Sequence, residues 1–191
     1  MSATLLKNVA SRRTIYALKN ELPAGVTLKE VQETVQAIIK DTPTAFNSQV
    51  NRAVILTGAT HKKVWDQVVK SIDAEDGKKR PASVRDEAYG SIIFFTDDKV
   101  TEKLQGDFPA WAAAFPQFAD HSSGAAQITS WTALETLGLG GHLQHYNGYV
   151  KAALPDKIPA SWNVAAQLCF GAPVEKPGAK EYIDNPVQIF D

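Results

Sequence analysis

Three observations predict an α+β fold for this 191-residue chain. Residues 52–57, 90–96 and 163–170 are rich in β-branched, aromatic and other apolar side chains and read as strands. Segments with apolar residues at helical spacing outnumber them. Helices also follow one another in succession, which breaks the strand–helix alternation of a doubly wound sheet.

The elements follow in order. Leu5, Leu6, Val9 and Ala10 recur at helical spacing, and the basic hydroxyl run Ser11, Arg12, Arg13, Thr14 ends that segment. Thr27 and Glu30 make a capping box, and Val31, Val35, Ile38 and Ile39 continue the helix. It stops near Lys40, because Pro43 biases Thr42 away from helical dihedrals. Strand 52–57 ends at Gly58, and Val64, Trp65, Val68 and Ile72 mark a helix over 61–72. The charged, glycine-containing stretch 73–81 reads as a loop. Strand 90–96 is apolar almost throughout, which predicts burial on both faces. Residues 100–119 hold short helical turns carrying Phe108, Trp111, Phe115 and Phe118. A long helix over 124–139 presents Ile128, Trp131, Leu134 and Leu137, and glycines at 138, 140 and 141 close it. A helix over 146–154 ends at Pro155. The last 20 residues contain three prolines and no helical period, so they read as an extended arm lying across another surface, such as that of a second subunit. The expected organisation is one domain over 1–191 with a C-terminal arm from about residue 172.

An apolar fraction of 44% and a charged fraction of 21% are ordinary for a globular protein. A net charge of −1 argues against nucleic acid and against a polybasic membrane surface as partners. The apolar runs stop short of the roughly 18 residues a membrane-spanning helix needs, and the first 25 residues lack a secretory pattern. A single cysteine, Cys169, excludes an internal disulfide and fits a reducing compartment. The expected location is cytoplasmic, with the nucleus left open. Cys169 lies in an apolar run and reads as a small buried hydrophobe.

Two guanidiniums and two hydroxyls at 11–14 make a fork of donors suited to a phosphate; adjacent arginines at a helix end also read simply as a solvated terminus favouring the dipole. The glycines at 138–141 close a helix, whereas a dinucleotide fingerprint opens one. Three glycines in four residues exceed what capping needs and let backbone N–H groups approach a flat ligand. No P-loop pattern is present. His142 and His145 have no acidic neighbour in sequence to complete a metal site, and His121, Ser122 and Ser123 have no placed acid for serine hydrolysis.

Several runs resemble the nitroreductase family of FMN-dependent oxidoreductases. They are SRRTIYALK (11–19), TPTAFNSQVNRAVIL (42–56), KKRP (78–81), RDEAYGSIIFFTD (85–97), FPAWAAAFP (108–116), SWTALETLGLGGHLQHYN (130–147) and YVKAALP (149–155). They are most similar to the fungal fatty-acid-repression and homologous-to-bacterial nitroreductase branch. The resemblance implies an α+β sandwich with a central, mainly antiparallel sheet flanked by helices. It also implies a homodimer formed by exchange of extended arms, with FMN at the dimer interface and NADH or NADPH as electron donor.

Position by position, the resemblance implies that Arg12, Arg13 and Thr14 contact the flavin phosphate. Tyr16 stands where the family usually has Lys or Arg, so the cation expected at the pyrimidine edge is missing. Pro43, Thr44, Asn47 and Gln49 match the loop that runs along the ribityl chain and ring; Ala45 replaces a serine and Phe46 fills a usually small position. Gly141 belongs to the turn before the flavin N5 edge, and Gln144 and His145, with Tyr146, occupy the stretch that presents backbone N–H groups there. Lys180, ahead of Lys176, is the candidate for a phosphate contact from the tail. Arg80 and Arg85 are the candidates for a cation near N1/O2, and Arg85 is the one selected. The family's chemistry requires no side-chain acid or base, so no catalytic residue and no metal ligand is expected. The implied reaction is ping-pong reduction of a nitroaromatic or quinone-like acceptor. Residues 108–116 are the candidate lid, and Phe46, Phe108, Trp111, Phe115 and Phe118 candidate cavity-lining aromatics. The branch's links to fatty-acid signalling and oxidative stress keep open a second reading, a flavin- or lipid-responsive regulatory protein with incidental redox activity.

Overall fold

The computed structural model describes residues 2–191. Seven α-helices among these residues are α1 (Ser2–Ser11), α2 (Leu28–Asp41), α3 (Gly58–Lys70), α4 (Glu75–Glu87), α5 (Asp98–Asp107), α6 (Phe115–Thr136) and α7 (Asn147–Ala153). Five strands are β1 (Leu18–Lys19), β2 (Asn51–Thr57), β3 (Gly90–Asp97), β4 (Gly140–Gln144) and β5 (Trp162–Pro173). They form one sheet in the order β1-β5-β3-β2, with β4 also paired to β5, and every pairing is antiparallel. Helices pack on both faces, which makes the α+β sandwich.

β3 shows why. Its eight residues are all buried, and successive side chains point to opposite faces. Ile92 and Phe94 enter a core with Val31 and Val35 of α2 and Trp131 and Leu134 of α6. Ile93 and Phe95 enter another with Val64, Trp65 and Val68 of α3, Val84 of α4 and Val150 of α7. The second core contains a closed polar network. Trp65 Nε1 donates to Ser91 Oγ at 2.8 Å, and His61 bridges Ser91 Oγ (3.1 Å) and the Val84 carbonyl (2.9 Å). With Nε2 protonated toward Val84 and Nδ1 accepting from Ser91, every polar atom of His61 is satisfied while the ring stays neutral.

Local signals set most boundaries. Thr27 Oγ1 accepts the Glu30 N–H at 3.1 Å and starts α2, and the Thr42 N–H closes it on Ile38 before Pro43. α6 ends in a Schellman cap. Gly138, at φ +85°, donates to Glu135, and Leu139 donates to Leu134.

Three expectations need correction. The stretch 73–81 is not a loop; it belongs to α4. Glu75 and Asp76 in its first turn and Arg85 in its last favour the helix dipole. Pro81 removes the donor to Gly77, and burial of Pro81 and Val84 where α4 packs on α3 offsets that loss. The long helix begins at Phe115, not 124, with Pro116 in its first turn where a missing N–H costs nothing. Finally, Gly140 and Gly141 are not cap residues. They open β4, opposite Gly171 and Phe170 of β5.

Removing the aromatic at the centre of β3 opens a cavity, so Phe94→Ala is expected to cost about 3–5 kcal/mol, measured as a lowered denaturant midpoint. Burial also depresses two histidines. His61 falls below the usual 6.5, chiefly by desolvation, and His142 falls from 6.5 to about 4, also chiefly by desolvation. Both stay neutral in the fold while the unfolded chain takes up protons below pH 6.5. Stability is therefore complete above pH 6.5 and declines as pH falls toward 4. Urea midpoints across that window are expected to drop, and His61→Gln is expected to flatten the slope.

Candidate functional site

The segment after α1 runs extended along the outer edge of β4, tied to it by the Ile15 N–H donating to the Gly141 carbonyl at 2.9 Å. The Arg12 guanidinium stacks on the Trp131 ring, 4.2 Å from its centroid. Main-chain N–H of Arg13 donates to both oxygens of Glu135, at 2.9 and 3.2 Å. Lys180 reaches back from the C-terminal segment and donates to the Ala10 carbonyl at 3.0 Å. Three cations thus surround one carboxylate. Burial pushes the Glu135 carboxyl up, and the Arg13 amide and the charges of Arg12, Lys180 and Arg13 pull it back. Thr14 lies exposed beside them.

Among the described residues, two donors in this cluster have no acceptor. Arg12 Nη1 and Trp131 Nε1 are buried and unpaired within the protein. Such orphaned donors cost about 1–3 kcal/mol each unless a ligand or water supplies the acceptor. A Cβ on Gly141 would approach the Cys169 carbonyl to 3.0 Å and Trp131 Nε1 to 3.5 Å, so only glycine keeps this space open. The cluster fits a phosphate monoester: cations, unpaired donors and a bare backbone converge on one place.

A second group adjoins it. Arg80, from α4, lies 4.0 Å over the ring of Tyr16. The Tyr16 ring lies 5.1 Å from that of His142, and Gln144 Nε2 donates to His142 Nδ1 at 2.9 Å. That bond puts the proton of the neutral imidazole on Nε2. Burial, and then the Arg80 charge, keep the ring neutral. Arg85 does not join this group. Its guanidinium is held by Asp86 at 2.9 Å and by Asp66 at 3.1 Å. His145 is exposed at the rim of a polar hollow of about 340 Å³ shared with Asp120, Gln127, Asn147 and Asn163. The neighbouring Tyr146 N–H is already taken by Gln167 Oε1 at 2.8 Å.

The third segment lies elsewhere. The loop from Pro43 to Gln49 contains a 3-10 turn, Ala45–Asn47, with Phe46 at φ +55° and Asn47 and Gln49 at φ +50°. Three non-glycine residues in the left-handed region mark stored strain of a kind that gathers at binding sites. The Gln49 N–H donates to Thr44 Oγ1 at 2.9 Å, while Pro43, Asn47 and the Gln49 side chain face solvent. Phe46 packs on Phe108 at 4.6 Å and Phe115 at 5.5 Å, at the first turn of α6. Arg12 stacks on Trp131, sixteen residues further along the same helix. At 1.5 Å per residue the two anchor points are about 24 Å apart. Within one chain, therefore, Arg12, Arg13, Thr14, Tyr16, Gly141, Gln144 and Lys180 gather toward the C-terminal end of α6, and Pro43, Thr44, Asn47 and Gln49 gather at its N-terminal end. His145 lies apart from the first group, beside Asp120 and Gln127 of the helix's N-terminal half.

Sequence reasoning missed Trp131 and Glu135. Their spacing of four on α6 puts them on one face, but Trp131 had counted only as core. Among the described residues, no group of three or more His, Cys, Asp or Glu could hold a metal ion, and no helix is long and apolar enough to cross a membrane.

Comparison with known proteins identifies the family and the fold. The profile of the nitroreductase family matches residues 9–172. The chain is 71% identical over 189 residues to the HBN1 protein of Saccharomyces cerevisiae, covering 99% of this chain and 98% of that one. The crystal structure of a nitroreductase from Saccharomyces cerevisiae superposes with a TM-score of 0.87 at 61% identity, over 91% of this chain and 98% of that one. The nitroreductase CinD of Lactococcus lactis, solved in complex with chloramphenicol, superposes with a TM-score of 0.85 at 36% identity, over 94% and 95% of the two chains. The same protein is also known in complex with 4-nitrophenol. The chain belongs to the nitroreductase family.

Proposed function

We propose that the protein is an FMN-dependent NAD(P)H oxidoreductase that reduces nitroaromatic or quinone-like acceptors as a homodimer. The observation that carries this reading is the cluster of Arg12, Arg13 and Lys180 with its unpaired buried donors, which asks for a phosphate. A bound flavin would relay a hydride from a nicotinamide to the acceptor. The chain's own task is to bind, to orient and to set the electrostatics.

Arg12, Arg13, Thr14 and Lys180 hold the phosphate by charge-assisted hydrogen bonds. Arg80, resting on Tyr16, brings positive charge to the place where Tyr16 itself carries none. It takes the role assigned from sequence to Arg85, whose guanidinium is already committed to Asp66 and Asp86. A cation there favours negative charge building on the pyrimidine edge. In the stretch assigned to the reactive edge the Tyr146 N–H is already engaged by Gln167, so a main-chain donor to a bound flavin would have to come from Gln144 or His145. Asn47 and Gln49 line the ring from a second copy, because about 24 Å of α6 separates them from Arg12 of their own chain. One open face serving donor and acceptor in turn gives ping-pong kinetics.

The arm supports the second copy. Beyond Lys180, Tyr182, Ile183, Val187, Ile189 and Phe190 are each more than 80% exposed, an apolar load that an isolated chain leaves in water. β2 has a free edge, beside a groove of about 470 Å³ lined by Leu28, Val35, Ile39, Ala53, Ile55 and Trp162. The arm of one copy laid on the other covers both surfaces. The complexes of the Lactococcus relative with chloramphenicol and 4-nitrophenol support a nitroaromatic acceptor.

Purified protein loaded with FMN is expected to bleach with NADH or NADPH under anaerobic conditions and to recover its colour on adding 4-nitrophenol; failure to bleach with either nucleotide rejects the reading. Arg12→Ala is expected to weaken FMN binding by about 1.5–3 kcal/mol, the worth of a hydrogen bond to a charged group, read by flavin fluorescence. Arg80→Ala is expected to lower the flavin midpoint potential while Arg85→Ala leaves it unchanged; the opposite pattern returns the role to Arg85.

A further inference from the structure

We infer that Glu135 and Trp131 form a two-point mount on α6 that holds Arg12 and Arg13 in position for a phosphate monoester, an assignment that rests on the flavin reading above. The two side chains are four residues apart on one helix face, in the last two turns before the Schellman cap. Trp131 offers its ring to the Arg12 guanidinium at 4.2 Å. Glu135 takes the Arg13 main-chain N–H on both oxygens. Because that bond comes from the backbone, the Arg13 guanidinium stays out of it and is left for a ligand.

The segment needs such a mount. Residues 12–17 lie in no helix or strand. Ile15, buried and bonded to Gly141, Tyr16 on His142 and the Ala17 carbonyl, which accepts the Val174 N–H, fix the second half of the segment, which leaves Arg12 and Arg13 to the mount. Arg12, Arg13 and Lys180 repel one another, and Glu135 is the carboxylate whose environment registers all three charges. Without it the loop gains freedom and the cations spread into solvent. With it, three positive charges and one negative leave a local excess of about two, which matches a phosphate monoester dianion. Glu135 is therefore a positioning residue, acting through Arg13, while Trp131 positions Arg12 and also offers its own unpaired Nε1.

The test compares FMN with riboflavin, which has the same ring and no phosphate. Dissociation constants are measured by fluorescence for the full chain and for Glu135→Ala, Glu135→Gln and Trp131→Leu. Glu135→Ala and Trp131→Leu are each expected to weaken FMN about tenfold and to leave riboflavin unchanged. Glu135→Gln keeps a carbonyl acceptor for the Arg13 N–H and is expected to recover most of the FMN affinity. Equal losses for FMN and riboflavin, or unchanged or tighter FMN in Glu135→Ala, overturn the mount while leaving the flavin reading in place. A wild-type chain that binds neither flavin overturns both.

Discussion

The stiffness of α6 governs how this protein can build a site. A helix of 22 residues spans about 33 Å, and its hydrogen-bonded backbone does not fold back on itself. One end carries the strained Pro43–Gln49 loop through Phe46 on Phe115. The other carries the cationic segment through Arg12 on Trp131 and Arg13 on Glu135. In the function proposed above, each end is half of a binding site, and the length of α6 keeps the chain from bringing its own halves together. The buried face of α6 cannot slip to compensate, because Leu134 and Trp131 are locked against Ile92 and Phe94 of the central strand.

The cationic end shows how packing and electrostatics serve one another. Glycine at 141 lets β4 lie close to β5 and leaves room above Trp131. The Schellman cap at Gly138 turns the chain from α6 directly into β4. Glu135, in the last turn of the helix, is thereby set opposite the Arg13 amide. The ring stack of His142, Tyr16 and Arg80 holds a cation from α4 beside the segment that carries Arg12 and Arg13. Tyr16, where the resemblance leads one to expect Lys or Arg, provides the ring on which Arg80 rests, so positive charge is still present beside that position.

Much of this was legible in the sequence. β3 was readable because burial on both faces forces a nearly unbroken apolar run, and α2 because Thr27 and Pro43 bracket it. α4 was not, because eight of its thirteen residues are charged and a proline sits inside it; only packing on α3 makes Pro81 and Val84 worth burying. β4 was hidden by its own glycines, which signal a helix cap as strongly as a close strand pair, and here do both in succession. The cluster at Arg12 was visible as chemistry, and the family resemblance drew Lys180 to it. The parts played by Glu135 and Trp131 were not visible, since the Glu135–Arg13 contact joins residues 122 positions apart. Arg80 and Arg85 both looked suitable, and only their partners separate them: an aromatic ring for one, two carboxylates for the other.

The claim at the centre of this account is that each site takes one end of α6 from each of two copies. Complementation tests it directly. Chains carrying Arg12→Ala are mixed with chains carrying Asn47→Ala and Gln49→Ala, allowed to exchange, and assayed for bound FMN. Each parent dimer has only damaged sites, whereas each mixed dimer has one intact site and one damaged twice. Random pairing is then expected to restore about a quarter of the wild-type flavin content per chain, as two-fold symmetry requires. Flavin content in the mixture no higher than the average of the two parents would contradict the account.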